Sequence, residues 1–292
     1  MREEKSKLAI LSSYFGLKTK YLFIQQEFLM LKSLKKIYSS RDVILRLAFT
    51  DLKLRYAGSY LGLLWSLLEP LLIILVYSLV FPLILKVNFF EWFLFFICGL
   101  IPYRYLRKGT MELTTSLVDY SNILLKSKMN PQNIIYAKAI STSISFLIEL
   151  SIVFILVSFF VKPSFFIFLL PFAVTISFLL NLGLGFYFSV IYPRARDMNY
   201  ILSIVFEALM FLTPIVYKID HIPSLYRGIY LLNPIARLVY TYQAIFLYSS
   251  PKFKEYLPLL EQIVLLFLFS LFVFIIGYKK FEKEKEVSLE LI

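Results

Sequence analysis

The chain has 292 residues, of which 59% are hydrophobic and only 17% are charged. Soluble domains contain about 45–50% apolar and about 25% charged residues, so this composition excludes an ordinary soluble domain and indicates an integral membrane protein. The formal net charge of +12 comes from basic residues spread over several loops, which suits anionic lipid headgroups and argues against nucleic acid as a partner.

Residues 1–41 form an N-terminal extension that we expect on the cytoplasmic side of the membrane. They lack a compact apolar core followed by a small-residue cleavage site, so they are not a cleaved signal peptide. The segment mixes aromatic and basic residues. Two interpretations stay open: one or two amphipathic helices on the cytoplasmic leaflet, or a poorly ordered arm.

An amphipathic helix is predicted over residues 42–58, lying in the plane of the membrane interface. Its apolar face is formed by Leu45, Ala48, Phe49, Leu52 and Tyr56. Its opposite face carries Asp42, Arg46, Thr50 and Lys53. Asp51 and Arg55 are four residues apart and can form an ion pair. Gly58 permits a sharp turn into the first span, and Trp65 suits the headgroup level.

Six transmembrane helices are predicted within residues 59–280, because an apolar run of about 20 residues crosses the hydrocarbon core. The runs are 60–85, 92–120, 134–161, 165–191, 199–217 and 257–278. Lys and Arg concentrate before the first run, in the loops after the second and fourth runs, and in the tail, residues 281–292. The positive-inside rule therefore predicts that both termini are cytoplasmic.

The second run changes character after Pro102 and Tyr103. Arg104, Arg107, Lys108 and Glu112 share one helical face, and an apolar face lies opposite. Charges at membrane depth face protein or water, so this half of the span is expected to border a wet cavity or a subunit interface. A bend at Pro102 that lays the half-span along the membrane interface is the alternative.

The two loops on the basic side carry different signals. Asn130 and Pro131 favour a helix start, with Asn as the cap and Pro at the first position. A short helix set by this cap could act as a rigid lever, and an ordinary turn between two spans is the alternative. In the second loop Arg194 and Arg196 suit positive-inside anchoring, and Asp197 can stabilise the start of the next helix.

The outer loop is predicted to form a helical hairpin over about residues 220–250. Pro223 and Pro234 suit helix starts, and Asn233 can cap the second helix. An apolar stripe follows at Ile235, Leu238, Val239, Tyr242, Ile245 and Phe246. The hairpin either re-enters the membrane and covers a pore exit or caps the surface without gating.

The inventory of reactive residues is poor. The sequence has a single cysteine, Cys98, and a single histidine, His221, and it contains no GxxxxGK[ST] phosphate-binding loop. We therefore expect no catalytic residues, no metal and no cofactor in this chain. Three carboxylates, Glu69, Glu149 and Glu207, lie within predicted spans, where acids are functional candidates. They keep an ion-coupled secondary transporter open as the main rival, although the sequence shows no inverted repeat.

The string DLKLRYAGSYLGLLWSLLEP, residues 51–70, resembles the N-terminal signature of permease subunits of type-2 ABC transporters that export O-antigen, capsule or teichoic acid. The matching positions are Asp51, Lys53, Arg55, Tyr56, Ser59, Leu61, Gly62, Trp65 and Pro70. GLIPY, SNILLKSKMNPQNIIYA, YPRARDMNYI, TPIVY and LNPIARLVYTYQAIF resemble further motifs of that family in the same order. The charged YRYLRK after Pro102 departs from it.

The resemblance implies an all-α permease that works as a homodimer in the cytoplasmic or inner membrane of a bacterium or archaeon. Two copies of a separate ABC ATPase would bind ATP and Mg²⁺, and the substrate would be a lipid-linked polysaccharide. A type-2 exporter of a small molecule stays an alternative, and a membrane-bound transferase would need more acids or histidines than the chain has.

The candidate site residues fall into four groups. The interface helix and channel entrance comprise Asp51, Lys53, Arg55, Tyr56, Ser59, Gly62, Trp65, Glu69 and Pro70. ATPase coupling is assigned to Asn122, Lys126, Lys128, Asn130, Pro131, Asn133, Arg194, Arg196 and Asp197. The charged half-span suggests a pore or dimer interface at Pro102, Tyr103, Arg104, Lys108 and Glu112. The outer gate is assigned to Pro214, Asn233, Pro234 and Tyr242.

Overall fold

The computed structural model describes residues 38–55, 57–127, 129–219, 222–250 and 258–292. The predictions made for residues 1–37, Tyr56, Lys128 and His221 lie outside these ranges. The chain divides into two compact units, residues 1–45 and 46–292, and the packing described below is that of the second unit.

Ten α-helices occupy the described part of the chain, which contains no strand. They are α1 (Arg41–Arg55), α2 (Trp65–Leu85), α3 (Phe89–Asp119), α4 (Ser121–Lys126), α5 (Pro131–Phe160), α6 (Leu170–Ser189), α7 (Met198–Phe211), α8 (Ser224–Leu232), α9 (Pro234–Leu247) and α10 (Leu259–Leu289). Short 3₁₀ helices precede α2 and α6. The all-helical class and the helix in front of the first span are therefore as predicted.

Within the described residues, five segments are long and apolar enough to cross a membrane. They are Leu68–Leu85, Phe89–Asp119, Pro131–Phe160, Phe165–Ser189 and Leu259–Leu289. These match the first four predicted runs and the sixth. The fifth run forms α7, which is apolar but has only 14 residues, whereas a straight crossing needs about 20. The count of six spans stays a prediction.

Helix α3 is the central helix of the bundle. It contacts α2, α5, α6, α7 and α9. In its most apolar window 67% of the residues are buried, compared with 22–33% in the other four candidate spans. The helix also runs through Pro102 as one unbroken segment of 31 residues. In its charged second half, residues 104–118 are all buried or half-buried, which is how charges at membrane depth are tolerated.

Helices α6 and α10 pack at backbone distance because two glycines face each other. A Cβ atom added to Gly277 would lie 2.0 Å from the carbonyl oxygen of Gly183. Small residues at such a contact allow helix backbones to approach closely. The contact leaves no room for a larger side chain unless one helix moves.

The predicted caps start two of the helices. The Asn130 side chain accepts a hydrogen bond from the Gln132 amide at 3.3 Å, and Pro131 follows as the first residue of α5. Asn233 caps α9 in the same way. The lever prediction needs a correction, because Asn130 starts the 30-residue α5 itself. The short helix of this loop is α4, which lies before the cap. From Pro131 the chain is helical without a break to Phe160.

Candidate functional site

The amphipathic helix buries a different face from the one predicted. Ala48 and Leu52 are buried as expected, but Phe49 is 52% exposed, and the buried residue beside them is Asp51. Lys53 is exposed, as its place on the polar face predicts. In residues 46–55 the face that packs on protein therefore carries a charge. The exposed Phe49 is available to lipid, as an interfacial helix requires.

Asp51 sits at the centre of a dense hydrogen-bond network. One carboxylate oxygen accepts from the Tyr120 hydroxyl at 2.6 Å and from the Lys138 ammonium at 2.8 Å. The other accepts from the Ser141 hydroxyl at 2.6 Å and from the Arg55 guanidinium at 3.2 Å. The Asp51–Arg55 pair predicted from their spacing is thus present, within a larger network.

The network also sets the protonation of its members. Burial raises the pKa of Asp51, but the hydrogen bonds from Lys138, Ser141 and Tyr120 outweigh this, and the net pKa lies below its usual value. Burial and the hydrogen bond to Asp51 raise the pKa of the Tyr120 hydroxyl. At neutral pH Asp51 is therefore ionised and Tyr120 stays a donor.

Glu112 completes an electroneutral group of four charges. Its carboxylate accepts from Arg55 at 2.6 Å and lies 3.6 Å from the Lys138 ammonium. Asp51, Arg55, Glu112 and Lys138, here called the four-charge cluster, come from α1, α3 and α5, with side chains only 8–22% exposed. Two acids face two bases, which is the arrangement that makes buried charge tolerable.

Sequence reasoning found three of these charges and missed Lys138, as well as Tyr120 and Ser141. Lys138 does leave a signal, because it is the single cation within the predicted span 134–161. An intramembrane charge implies a partner, and unpaired acids on neighbouring segments were available. Tyr120 and Ser141 leave no signal of this kind, since hydroxyl groups are common in spans.

A second set of ion pairs joins α2, α3 and α7. Arg104 donates to Glu69 at 2.9 Å, with Lys108 3.8 Å from the same carboxylate, and Arg107 lies 3.5 Å from Glu207. The charged residues predicted to share one face of α3 therefore bind different partners. Arg104 and Lys108 bind Glu69, and Arg107 binds Glu207. Glu112 belongs to the four-charge cluster.

These pairs border a groove of about 580 Å³ along α2, α3 and α7. Tyr77 and Tyr103 also line it. Tyr103 is buried, and its hydroxyl donates to the Phe206 carbonyl oxygen, so this hydroxyl already has a partner. Pro102 is buried too. The polar groups that the groove presents are mainly those of the ion pairs.

A small cavity shares Arg104 and Lys108 with the groove. It has a volume of about 20 Å³ and is lined by Arg55, Arg104, Lys108 and Glu149 among others. A space of this size holds about one water molecule. Glu149, one of the three intramembrane acids noted from the sequence, is buried here, whereas Glu69 and Glu207 are exposed and paired with arginines of α3.

The turn between α1 and α2 holds the remaining signature residues. Gly58 and Gly62 have φ angles of +77° and +51°, which L residues rarely adopt and achiral glycine adopts readily. Ser59 and Trp65 are exposed, and Pro70 is buried within α2. The sharp turn predicted at Gly58 is therefore present, and the glycine is needed for backbone reasons.

The predicted coupling residues separate into exposed and buried sets. Asn122, Lys126, Arg196 and Asp197 are exposed, whereas Pro131 and Asn133 are buried at the start of α5. Asp197 directly precedes α7, but its side chain makes no capping hydrogen bond. Arg194 is exposed as well and pairs with Glu284 at 2.9 Å. The exposed set is the part that a partner could touch.

The predicted outer hairpin is formed by α8 and α9, and α9 is a core helix. Tyr242 is fully buried, with its hydroxyl 2.9 Å from that of Ser177. Pro214 is buried, and its carbonyl accepts from Gln243 at 3.3 Å. Asn233 reaches the Leu212 carbonyl at 3.4 Å in addition to its capping role. Helix α9 thus lies within the bundle and not on its surface.

Comparison with known proteins agrees with this architecture. The family described as ABC-2 type transporter matches residues 43–247, well over half of the chain. The chain belongs to the ABC-2 type transporter family. The resemblance inferred from its motifs is therefore confirmed. With five long apolar helices in the part that the structure describes, the chain is a multi-pass membrane protein.

Its relatives within the family match along nearly their whole length. The chain is 27% identical over 266 residues to the O-antigen export system permease protein RfbA of Myxococcus xanthus, covering 90% of this chain and 100% of the relative. It is 24% identical over 253 residues to a protein of the same name from Klebsiella pneumoniae, covering 86% and 95%.

Proposed function

We propose that this chain is the permease subunit of an ATP-driven exporter that moves a lipid-linked polysaccharide across the cytoplasmic membrane. The observation that carries the proposal is the similarity to O-antigen export permeases over 86–90% of the chain. The signature positions that suggested polysaccharide lie within the matched region, at the turn between α1 and α2. The chain supplies the path, and a partner supplies the energy.

We infer that the partner is an ABC ATPase, present in two copies, which binds ATP and Mg²⁺. The exposed residues of the two loops, Asn122, Lys126, Arg196 and Asp197, are the proposed contacts. Tyr120 joins α3 to α4 and donates to Asp51. A push on α4 would therefore reach the four-charge cluster and, through it, α1 at the membrane surface.

The groove supports a homodimer with the pore between protomers. The side chains of Glu69 and Glu207 are 51% and 64% exposed although they lie on apolar helices. Such groups are not stable against lipid and need protein or water. We infer that a second copy covers this face and that the space between the copies is wet. In this arrangement α7 is a short fifth span and both termini are cytoplasmic.

The outer end of the pore is assigned to the hairpin of α8 and α9. Backbone at membrane depth is tolerated where protein satisfies its polar groups, and α9 is packed on all sides within the described bundle. We infer that Pro214, Asn233, Pro234 and Tyr242 set the position of this re-entrant hairpin, since Asn233 and the Pro214 carbonyl tie it to the end of α7.

Reconstitution tests the proposal directly. The chain and an ABC ATPase from the same organism are purified together and placed in vesicles containing lipid-linked oligosaccharide from that organism. ATP-dependent movement of the glycan to the far leaflet is expected from the complex and not from the chain alone. Transport by the chain alone, or an ATPase complex that moves only small molecules, would contradict the proposal.

A further inference from the structure

The last helix continues far beyond its apolar part. After Tyr278 the sequence becomes strongly charged, KKFEKEKEVSLEL, and the sequence alone suggested a tail from residue 281. Helix α10 nevertheless runs to Leu289. Phe281 and Ser288 are fully buried. A charged helix with buried residues must pack against other parts of the protein, and the contacts of its side chains show which parts these are.

One side of this segment holds the start of α5. Gln132, the second residue of α5, is buried and donates from its side-chain amide to the Glu282 carboxylate. The same amide lies 3.2 Å from the Tyr278 hydroxyl. Gln132 lies two residues after the Asn130 cap, so the charged segment is bonded to the point where the first loop, which links α3 to α5 through α4, enters α5.

The other side holds the second loop, which links α6 to α7. Arg194 donates to Glu284 at 2.9 Å. The Ser288 hydroxyl donates to the backbone carbonyl of Val190 at 3.0 Å. Glu284 is itself fixed by Lys280, one helical turn earlier, at 3.0 Å. Both loops are thus bonded to one continuous helix.

The charged segment is held in place by close packing between α10 and α6. The backbone contact between Gly277 and Gly183 lies one turn before it. Phe281 packs its ring against Phe186 of α6, with centroids 4.9 Å apart. An isolated exposed helix of this length would be marginal, so its order derives from these contacts and from its continuity with the span.

We propose that residues 279–289 form a C-terminal strut that locks the two loops together so that they move as one body, with Glu282 and Glu284 as its positioning residues. This inference rests on the proposed function, in which an ATPase pushes on both loops. Without the strut the coupling between the loops would rest on the spans and on apolar packing such as that of Leu124, Ile134 and Val190, and less of a push on one loop would reach the other. The strut would make the displacement of either loop a displacement of both.

Charge reversal tests the strut in the complete complex with its ATPase. Glu284→Arg places three cations together, because Arg194 and Lys280 both pair with Glu284. Glu286→Arg makes the same change at an exposed position of the same helix. We expect Glu284→Arg to lower the glycan exported per ATP hydrolysed about fivefold, with ATP hydrolysis retained, and Glu286→Arg to stay close to the original protein. Combining Arg194→Glu with Glu284→Arg restores the ion pair in the opposite sense and should recover export.

The Gln132 contact supplies an independent pair of variants. Glu282→Gln keeps an acceptor for the Gln132 amide and should preserve export per ATP. Glu282→Leu removes the acceptor and should lower it. These variants decide the matter if Glu284→Arg prevents the complex from assembling.

Two results would overturn the strut. One is unchanged export per ATP in Glu284→Arg and in Glu282→Leu. The other is a double variant, Arg194→Glu with Glu284→Arg, that exports no better than Glu284→Arg alone. Either result leaves the proposed function intact as long as the original complex exports glycan, so the two proposals fail separately.

Discussion

The four-charge cluster makes a strong prediction for Asp51→Ala. The substitution removes the acceptor of four donors at 2.6–3.2 Å and leaves Arg55 and Lys138 facing Glu112 alone. The Asp51 side chain is 8% exposed, so water screens the excess positive charge poorly. Breaking a buried charge pair by removing one partner costs about 3–5 kcal/mol. Three kcal/mol corresponds to a fall of roughly 6–12 °C in Tm for a chain of this size.

The chain offers its own thermal probe. Its single cysteine, Cys98, is 1% exposed, so a thiol-reactive dye reports unfolding in detergent directly. The matched control is Asp42→Ala, on the same helix with its side chain 83% exposed and its ion pair at 3.8 Å; such a pair contributes about 0–1 kcal/mol. The reasoning fails if Asp51→Ala and Asp42→Ala melt at the same temperature.

A double substitution separates charge balance from lost packing. Lys138→Met in the Asp51→Ala background leaves Arg55 paired with Glu112 and restores neutrality. Replacing a buried ion pair by apolar groups is often close to neutral in stability. We therefore expect the double variant to melt above Asp51→Ala. Equal or lower melting would show that hydrogen bonding to the lost carboxylate, and not the charge imbalance, dominates.

Three further outcomes are expected. The folded-state pKa of Asp51 lies below its usual 3.8, so the stability that its charge contributes is present above about pH 4 and is lost as the pH falls further. The difference in Tm between the original protein and Asp51→Asn should therefore shrink below about pH 4. A difference that stays constant with pH would contradict this. Gly277→Leu should abolish monodisperse protein in size-exclusion chromatography, because its Cβ would lie 2.0 Å from a backbone oxygen, whereas Gly228→Leu, with nothing within 4 Å, should not. Reversing the exposed charges of Lys126 and Arg196 to Glu should weaken binding of the ATPase about tenfold in a pull-down titration at unchanged Tm; unaltered binding would remove these residues from the contact.

Several features of the fold depend on local sequence and could be predicted from it. Long apolar runs predict membrane-spanning helices because a helix needs about 20 apolar residues to cross the hydrocarbon core. Asn130 with Pro131, and Asn233 with Pro234, mark helix starts because a cap satisfies backbone amides within a few residues. The ion pair of Asp51 and Arg55 follows from one helical turn. The family followed from motif order over most of the chain.

Which groups meet across the bundle was decided by tertiary structure. Asp51 finds Tyr120, Lys138 and Ser141 at separations of 69, 87 and 90 residues, and no local pattern encodes such distances. Hydrophobic periodicity likewise does not predict that α9 is buried or that the charged end of α10 packs against the two loops. The sequence alone determined where the chain must be apolar and where helices begin, since both depend on neighbouring residues and on the membrane as solvent. Only the packing of the helices determined which buried charges neutralise one another, because a buried ion is stable only next to a partner that folding brings to it.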